Sequence, residues 1–398
     1  MPSADSYAAQ PVRKIHAMQN QKRDPYLLTP GPLTTSATTK EAMLHDWGSR
    51  DKEFIAINGR VRERLLALAG AEDTHVCVPL QGSGTFCVEA TIGTLVPPEG
   101  KLLILVNGAY GRRMVRICEY YGRAHATVDT PEDVPNDPAA LDQVLADDPT
   151  VTHVAAVHCE TTSGILNPIE QIATVTARHA RGLIIDAMSA FGAIELDARK
   201  VRFDALAASS NKCLEGVPGM GFAIIRRDAL QRCQGNAPSL SLDLYDQWVS
   251  METNGQWRFT PPTHVIVAFH QALDEHAAEG GVAGRGARYR HNCEILVQGM
   301  RKLGFMTLLQ GALQAPIIVT FHMPADPKFD FKRFYDRLNE HGFVIYPGKL
   351  TVADSFRIGC IGRLGEAEMR AALAAIRDTV KEMGVTHCGP KPSEAATA

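Results

Sequence analysis

Lys212 and Asp186 are the two residues in this chain whose types and spacing point most directly to chemistry. Lys212 lies in Ala207-Ala-Ser-Ser-Asn-Lys-Cys-Leu-Glu-Gly-Val-Pro-Gly-Met-Gly221, after a short apolar run and before a turn-rich loop, with no carboxylate run beside it. Partial burial or a nearby cation depresses the pKa of such an amine and makes it a nucleophile able to form a Schiff base. Asp186 ends the apolar run Gly182-Leu-Ile-Ile-Asp-Ala187, 26 residues earlier, where it could pair with a protonated pyridine nitrogen. A lysine for an aldehyde and an aspartate for a ring nitrogen are the two groups that pyridoxal 5'-phosphate most needs from a protein. Each residue alone also fits a surface lysine or a strand-end cap.

Gln81-Gly-Ser-Gly-Thr-Phe-Cys-Val-Glu-Ala90 weighs against that plainer reading. It follows the strand-like Val76-Cys-Val-Pro-Leu80 and leads into a helical run to about Leu95. Glycines let the chain turn sharply, and the first helical N–H groups then carry partial positive charge toward a phosphate, with Ser83 and Thr85 as extra donors. The third glycine and the acidic ribose partner of a dinucleotide fingerprint are missing, and so is a Gly-x4-Gly-Lys-Ser/Thr loop. Tyr110, in Val106-Asn-Gly-Ala-Tyr-Gly111, could stack on a flat ring or simply pack in the core. Thr161, in His158-Cys-Glu-Thr-Thr-Ser-Gly164, could reach a ring oxygen or serve a turn.

Taken in order, Thr29-Pro-Gly-Pro32, Gly82-Ser-Gly-Thr-Phe86, Glu160-Thr-Thr-Ser-Gly164, Asp186-Ala-Met-Ser189, Ser210-Asn-Lys212 and Phe356-Arg-Ile-Gly359 resemble the class V aminotransferases of fold type I. Within that family, and with Asp46-Trp-Gly-Ser-Arg-Asp51, the chain is similar to the branch that moves the amino group of 2-aminoethylphosphonate to pyruvate. The resemblance spans roughly residues 25 to 380. It implies a Schiff-base role for Lys212 and a ring-nitrogen role for Asp186. It also implies a phosphate site at Ser83, Gly84, Thr85 and Asn211, ring contacts from Tyr110, Thr161 and Met188, and a substrate-anion role for Arg357. Thr260, in Arg258-Phe-Thr-Pro261, matches a threonine that serves the neighbouring subunit's cofactor, so a homodimer with composite sites is implied. Arg50 stands where an aromatic is expected in the phosphonate branch and is a second candidate for the substrate anion.

Composition sets bounds on this reading. The 398 residues are 45% apolar, enough for a large core, and the net charge of −3 gives no case for a nucleic-acid or bulk membrane partner. Nine scattered cysteines without CxxC pairing point to a reducing cytoplasm, and the histidines form no HExxH or zinc spacing. The polar residues 1–23 read as neither signal peptide nor anchor, and no apolar stretch approaches the 18 residues a bilayer span would need.

The elements that must position these residues follow from periodicity. Strands are expected at 75–80, 101–106, 124–128, 152–158, 182–186, 205–208 and 221–226, with helices at 84–95, 111–121 and 168–180. Near-continuous apolar strands with helices between them predict an α/β fold with a mainly parallel, seven-stranded sheet. The candidate residues then fall at strand C-terminal ends, where ligands bind in open α/β sheets. Helices at 263–278 and 284–303 precede a second α/β block: strand 317–321, helix 328–340, strands 342–346 and 355–360, and helix 365–383. The expected divisions are an arm at 1–32, a large cofactor domain at 33–285, a smaller C-terminal domain at 286–385 and a tail at 386–398. Glycines in Glu279-Gly-Gly-Val-Ala-Gly-Arg-Gly286 are read as the punctuation between the two domains.

The rival within the same family is an alanine/serine–glyoxylate aminotransferase. A cofactor-dependent desulfurase is the rival from another class, but Cys213 and Cys360, the site-adjacent thiols, sit on no Gly/Ser-rich mobile loop.

Overall fold

A computed structural model describes residues 24–350 and 353–391. Most of the expected arm (1–23) and the end of the expected tail (392–398) lie outside the described residues.

The central sheet has seven strands: β1 (His75–Gln81), β2 (Lys101–Val106), β3 (Ala124–Asp129), β4 (Val151–Val157), β5 (Gly182–Asp186), β6 (Ala205–Ser209) and β7 (Met220–Arg226). Their spatial order is β1-β7-β6-β5-β4-β2-β3, with β7 alone antiparallel to its neighbours. Strands β5, β6 and β7 are buried on both faces almost throughout, because helices cover each side of the sheet. One face packs against α1 (Lys52–Leu68), which buries Phe54, Ile57, Val61 and Leu65. The other face holds α2 (Gly84–Leu95) and α3 (Ala109–Tyr121), with Val88, Ile92, Met114 and Ile117 in the apolar layer. Helix α3 stops at Gly122, whose φ of 62° is the left-handed closure that ends many helices. Helices α4 (Pro138–Asp147) and α5 (Ile169–Arg178) complete the crossovers from β3 to β4 and from β4 to β5.

After β7 come α6 (Leu244–Asn254), α7 (Thr263–Ala278) and the 22-residue α8 (Gly281–Lys302). A separate apolar cluster then forms around β8 (Ile318–His322), β9 (Tyr346–Pro347) and β10 (Ser355–Gly359), with α9 (Phe331–Glu340) and α10 (Glu366–Met383). Phe321 and Phe356 stack at 5.6 Å in this cluster, and Tyr26–Leu27 pairs in parallel with Phe343–Val344 to bring the N-terminal strap onto it.

The expected central strands are all present, within one or two residues of their expected bounds. The glycine-rich 279–286 stretch lies at the junction of α7 and α8, and α8 begins at Gly281, three residues ahead of the expected 284. Gly280 and Gly281 take φ of 96° and 66°, which glycine adopts at little cost. Gly284 and Gly286 pack so closely that an added Cβ would clash with the carbonyls of Glu279 and Ala193, respectively. Those glycines serve close packing along a helix. The expected strand 342–346 divides into Phe343–Val344 and Tyr346–Pro347, which pair with different partners.

Candidate active site

The C-terminal ends of β5 and β6, the turn after β1 and the start of α3 converge on a cavity of about 480 Å3. Eight of the residues singled out from sequence line it: Ser83, Gly84, Thr85, Tyr110, Asp186, Met188, Asn211 and Lys212. Lys212 lies between β6 and β7 in a loop tied at both ends. The Ser210 N–H donates to the Met220 carbonyl at 3.1 Å, and the Ser210 hydroxyl to that of Val217 at 2.7 Å. The Lys212 amine donates to the Pro30 carbonyl at 2.5 Å, which brings the N-terminal strap over the site. Burial lowers its pKa, with Tyr110, Cys213 and Asp186 opposing the shift. An amine so placed is easier to deprotonate and so to use as a nucleophile.

Asp186, at the end of β5, is 6% exposed, and its Oδ1 accepts the Met188 N–H at 3.0 Å. Burial lifts its carboxyl to about 6; the Met188 hydrogen bond and the charges of Arg113 and Lys212 oppose that shift. A buried acid without a full counter-charge suits a cationic ring nitrogen.

The phosphate end of the cavity is built from the start of α2. Ser83 makes no side-chain cap, and the first backbone bond runs from the Cys87 N–H to the Ser83 carbonyl at 3.3 Å. The N–H groups of Gly84, Thr85 and Phe86 therefore have no acceptor among the described residues, and they point where an anion is stabilised. A Cβ at Gly84 would lie 2.5 Å from the Met188 sulfur, so glycine is needed for that approach. Ser209, on the cavity wall, has a buried hydroxyl with no protein partner, a further open donor. The residues present therefore fit pyridoxal phosphate: an amine, a buried acid, an open helix start and a flat aromatic wall.

Glu160, fully buried, anchors the Tyr110 loop. Its Oε2 accepts the Tyr110 N–H at 3.1 Å, and its Oε1 accepts the Thr162 N–H at 3.0 Å and hydroxyl at 2.6 Å. Arg113 and Ser209 are cavity residues that were not singled out from sequence. Arg113 bonds the Thr85 hydroxyl at 2.9 Å and lies 4.8 Å from the Tyr110 ring centre. Its position three residues after Tyr110 on α3 was the available signal, since i and i+3 share a helix face. Ser209 sat directly before the Ser210-Asn211-Lys212 run, at a strand's C-terminal end.

The other candidates lie off the cavity wall. Thr161 is buried, and its carbonyl accepts Arg357 Nη1 at 2.7 Å. Arg357, on β10 and 1% exposed, also donates Nε to the Pro347 carbonyl at 3.1 Å. It has no carboxylate partner among the described residues. Thr260 and Arg50 are both exposed.

The Aminotransferase class-V family model matches residues 36–374. The 2-aminoethylphosphonate–pyruvate transaminase 2 of Burkholderia lata is 58% identical over 361 residues, covering 91% of this chain and 96% of that protein. The 2-aminoethylphosphonate–pyruvate transaminase of Pseudomonas aeruginosa strain PAO1 is 56% identical, with 92% and 99% covered. Among solved structures, an alanine–glyoxylate aminotransferase from Nostoc sp. superposes with a TM-score of 0.84 at 23% identity, over 90% of this chain and 96% of that one. That last likeness establishes the fold.

Proposed function

Because the chain belongs to the class V aminotransferases, which run on pyridoxal phosphate, we propose that it moves the amino group of 2-aminoethylphosphonate to pyruvate, giving phosphonoacetaldehyde and L-alanine. The observation that carries the chemistry is one cavity holding a buried lysine amine, a buried aspartate and an uncapped helix start. The choice of amine rests on the two relatives at 58% and 56% identity.

When bound, the cofactor supplies an aldehyde carbon for amine exchange and a ring that accepts the electron pair released at the substrate carbon. In this reading the α2 N–H groups, Ser83, Thr85 and Asn211 hold its phosphate, and Tyr110 and Met188 cover the ring. Asp186 keeps a proton on the ring nitrogen. The Lys212 amine would hold the resting cofactor at its aldehyde carbon and, when free, would carry a proton between the substrate carbon and the cofactor side. Arg357 holds the phosphonate in one half-reaction and the pyruvate carboxylate in the other, since a guanidinium binds either through paired hydrogen bonds. Thr161 positions Arg357 through its carbonyl.

The working unit in this proposal is a homodimer with composite sites. Thr260 and Arg50 are exposed, and large apolar side chains stand in solvent at Leu44, Phe86, Leu240 and Phe259. Apolar side chains left in solvent at these positions support that reading, since a second chain would cover them. Among the described residues no helix is long and apolar enough to cross a membrane, and nine free, buried cysteines suit a reducing cytoplasm.

A substrate screen tests the assignment. 2-Aminoethylphosphonate and L-serine are each offered with pyruvate or glyoxylate, and L-alanine with glyoxylate, and phosphonoacetaldehyde and amino acid products are measured. The phosphonate–pyruvate pair should give the highest kcat/KM. Serine–glyoxylate turnover far above it would overturn the assignment.

A further inference from the structure

The loop that carries Lys212 is joined to the C-terminal part of the chain by a buried ionic cluster that no cofactor or substrate contact requires. Glu215 lies three residues after Lys212 and donates its N–H to the Lys212 carbonyl at 2.8 Å. It holds a φ of 56°, an unusual left-handed state for a residue with a side chain. The side chain is 3% exposed, and a single oxygen, Oε1, accepts Arg288 Nη2 at 2.7 Å and the Tyr289 hydroxyl at 2.5 Å. Arg285 Nη1 faces the same oxygen at 3.5 Å and donates to the carbonyl of Cys213, the residue after Lys212, at 2.5 Å.

The same side chains reach the other way. Arg288 Nη1 donates to the carbonyls of Gly362 at 2.6 Å and Leu364 at 2.8 Å, and the Tyr289 hydroxyl accepts the Gly362 N–H at 3.2 Å. Gly362 stands three residues beyond β10, the strand of Arg357. Glu279 closes the cluster, bonding Arg285 Nε and Arg288 Nε at 2.7 Å each. Positions 285, 288 and 289 fall on one face of α8, and that face touches the lysine loop on one side and the turn after β10 on the other. Glu215 and Arg285 are buried and Arg288 and Glu279 partly so, and ion pairs taken out of water often cost more than apolar side chains of the same volume would. An arrangement retained at that cost points to a requirement for fixed geometry.

We propose that Glu215, held by Arg285, Arg288 and Tyr289, is a positioning residue for transamination: it sets the Lys212 amine relative to the Arg357 guanidinium. The proton acceptor and the anion-binding fork then meet one substrate at one distance. The inference rests on the roles given above to Lys212 and Arg357.

The test is a double-mutant cycle on the cofactor-loaded enzyme, using Glu215→Gln and Arg357→Lys. Each half-reaction is followed in single turnovers, with L-alanine and with 2-aminoethylphosphonate. Glu215→Gln keeps the size and the Tyr289 bond but removes the charge. It should lower the maximal rate about tenfold while moving half-saturation less than about threefold. Combined with Arg357→Lys, the loss in catalytic efficiency should fall short of the product of the single losses by about fivefold or more, since coupled groups do not act independently. Losses that multiply within about twofold, or a Glu215→Gln effect confined to melting temperature, would overturn the proposal. If Glu215→Gln does not fold, Arg288→Lys carries the same cycle and decides in the same way. Turnover of L-alanine without turnover of the phosphonate would refute the substrate assignment alone, and the cycle in the alanine half-reaction would still judge this inference.

Discussion

Replacing Arg357 should damage both half-reactions, by the size of a lost charge-assisted contact. Its guanidinium is 1% exposed and has no carboxylate partner among the described residues; Nε and Nη1 bond the carbonyls of Pro347 and Thr161. Burial lowers the pKa of Arg357, and nearby Tyr110 and Glu160 favour the charged form. Losing a charge-assisted contact to the substrate anion costs about 1.5–3 kcal/mol, or roughly ten- to a hundredfold in kcat/KM. Arg357→Ala should show that loss with both 2-aminoethylphosphonate and L-alanine, measured in single turnovers. It should also lower thermal stability, because two buried carbonyls lose their donor at about 1–3 kcal/mol each. Arg357→Lys separates the two effects: it retains charge but not the fork, so it should fold more stably than the alanine variant and still lose most of the efficiency. A folded, cofactor-loaded Arg357→Ala enzyme with kcat/KM within about threefold of wild type would refute the reasoning.

Lys212→Ala should abolish the visible absorbance of the lysine-linked cofactor and nearly all turnover; activity above about a tenth of wild type would remove this lysine from the mechanism. Gly31→Ala should slow the reaction about tenfold or more, because Gly31 holds a φ of 126° and an added Cβ would lie 2.8 Å from the Lys212 amine. Unchanged rates in that variant would show that the strap yields. Asp186 predicts a pH effect. Its folded value of about 6 exceeds the unfolded value near 4, so in the cofactor-free protein its contribution to stability falls as pH rises through that window. A cationic ring nitrogen reverses this, so the Tm gain on adding pyridoxal phosphate should be greater at about pH 8 than at about pH 5, and Asp186→Asn should shrink the difference. Equal gains in wild type and variant would mean that another acid faces the ring. Dilution should dissociate the dimer with loss of specific activity, and a fully active monomer would defeat the composite-site reading.

The central sheet was legible because its strands are nearly continuous apolar runs of strand length, each closed by a polar or glycine residue. Helix α1 was not read, although Phe54, Ile57, Val61 and Leu65 recur at helical spacing. Interleaved Arg60, Arg62 and Arg64 masked that stripe. Helix α6 buries only Leu244, Gln247 and Met251, too narrow a stripe to stand out. The 279–286 glycines hid the first turn of α8, because a glycine that ends a helix and one that lets two backbones approach are the same letter; only the facing carbonyls tell them apart. The lysine, the aspartate and the phosphate turn stood out because each lies at the end of a strand or within three residues after it. Arg113 did not, since its role depends on Thr85 and Tyr110 meeting it across two helices.

The antiparallel strand β7 has a metric consequence. Its first residue, Met220, lies opposite Gln81 at the mouth of the phosphate turn, and Gly221 lies opposite Ser209, just ahead of the lysine loop. The Gly82 N–H donates to the Gly219 carbonyl at 2.9 Å and closes the gap between them. The proposed covalent anchor, Lys212, and the proposed phosphate anchor at the start of α2 are thus two marks on one ruler, whose scale is the pairing of seven residues with β1 and five with β6. A slip of one residue along β7 would displace one mark against the other by roughly 3.4 Å and turn every side chain to the opposite face. The distance across a small molecule is kept constant here by backbone ladders, on which the side chains of the site only stand.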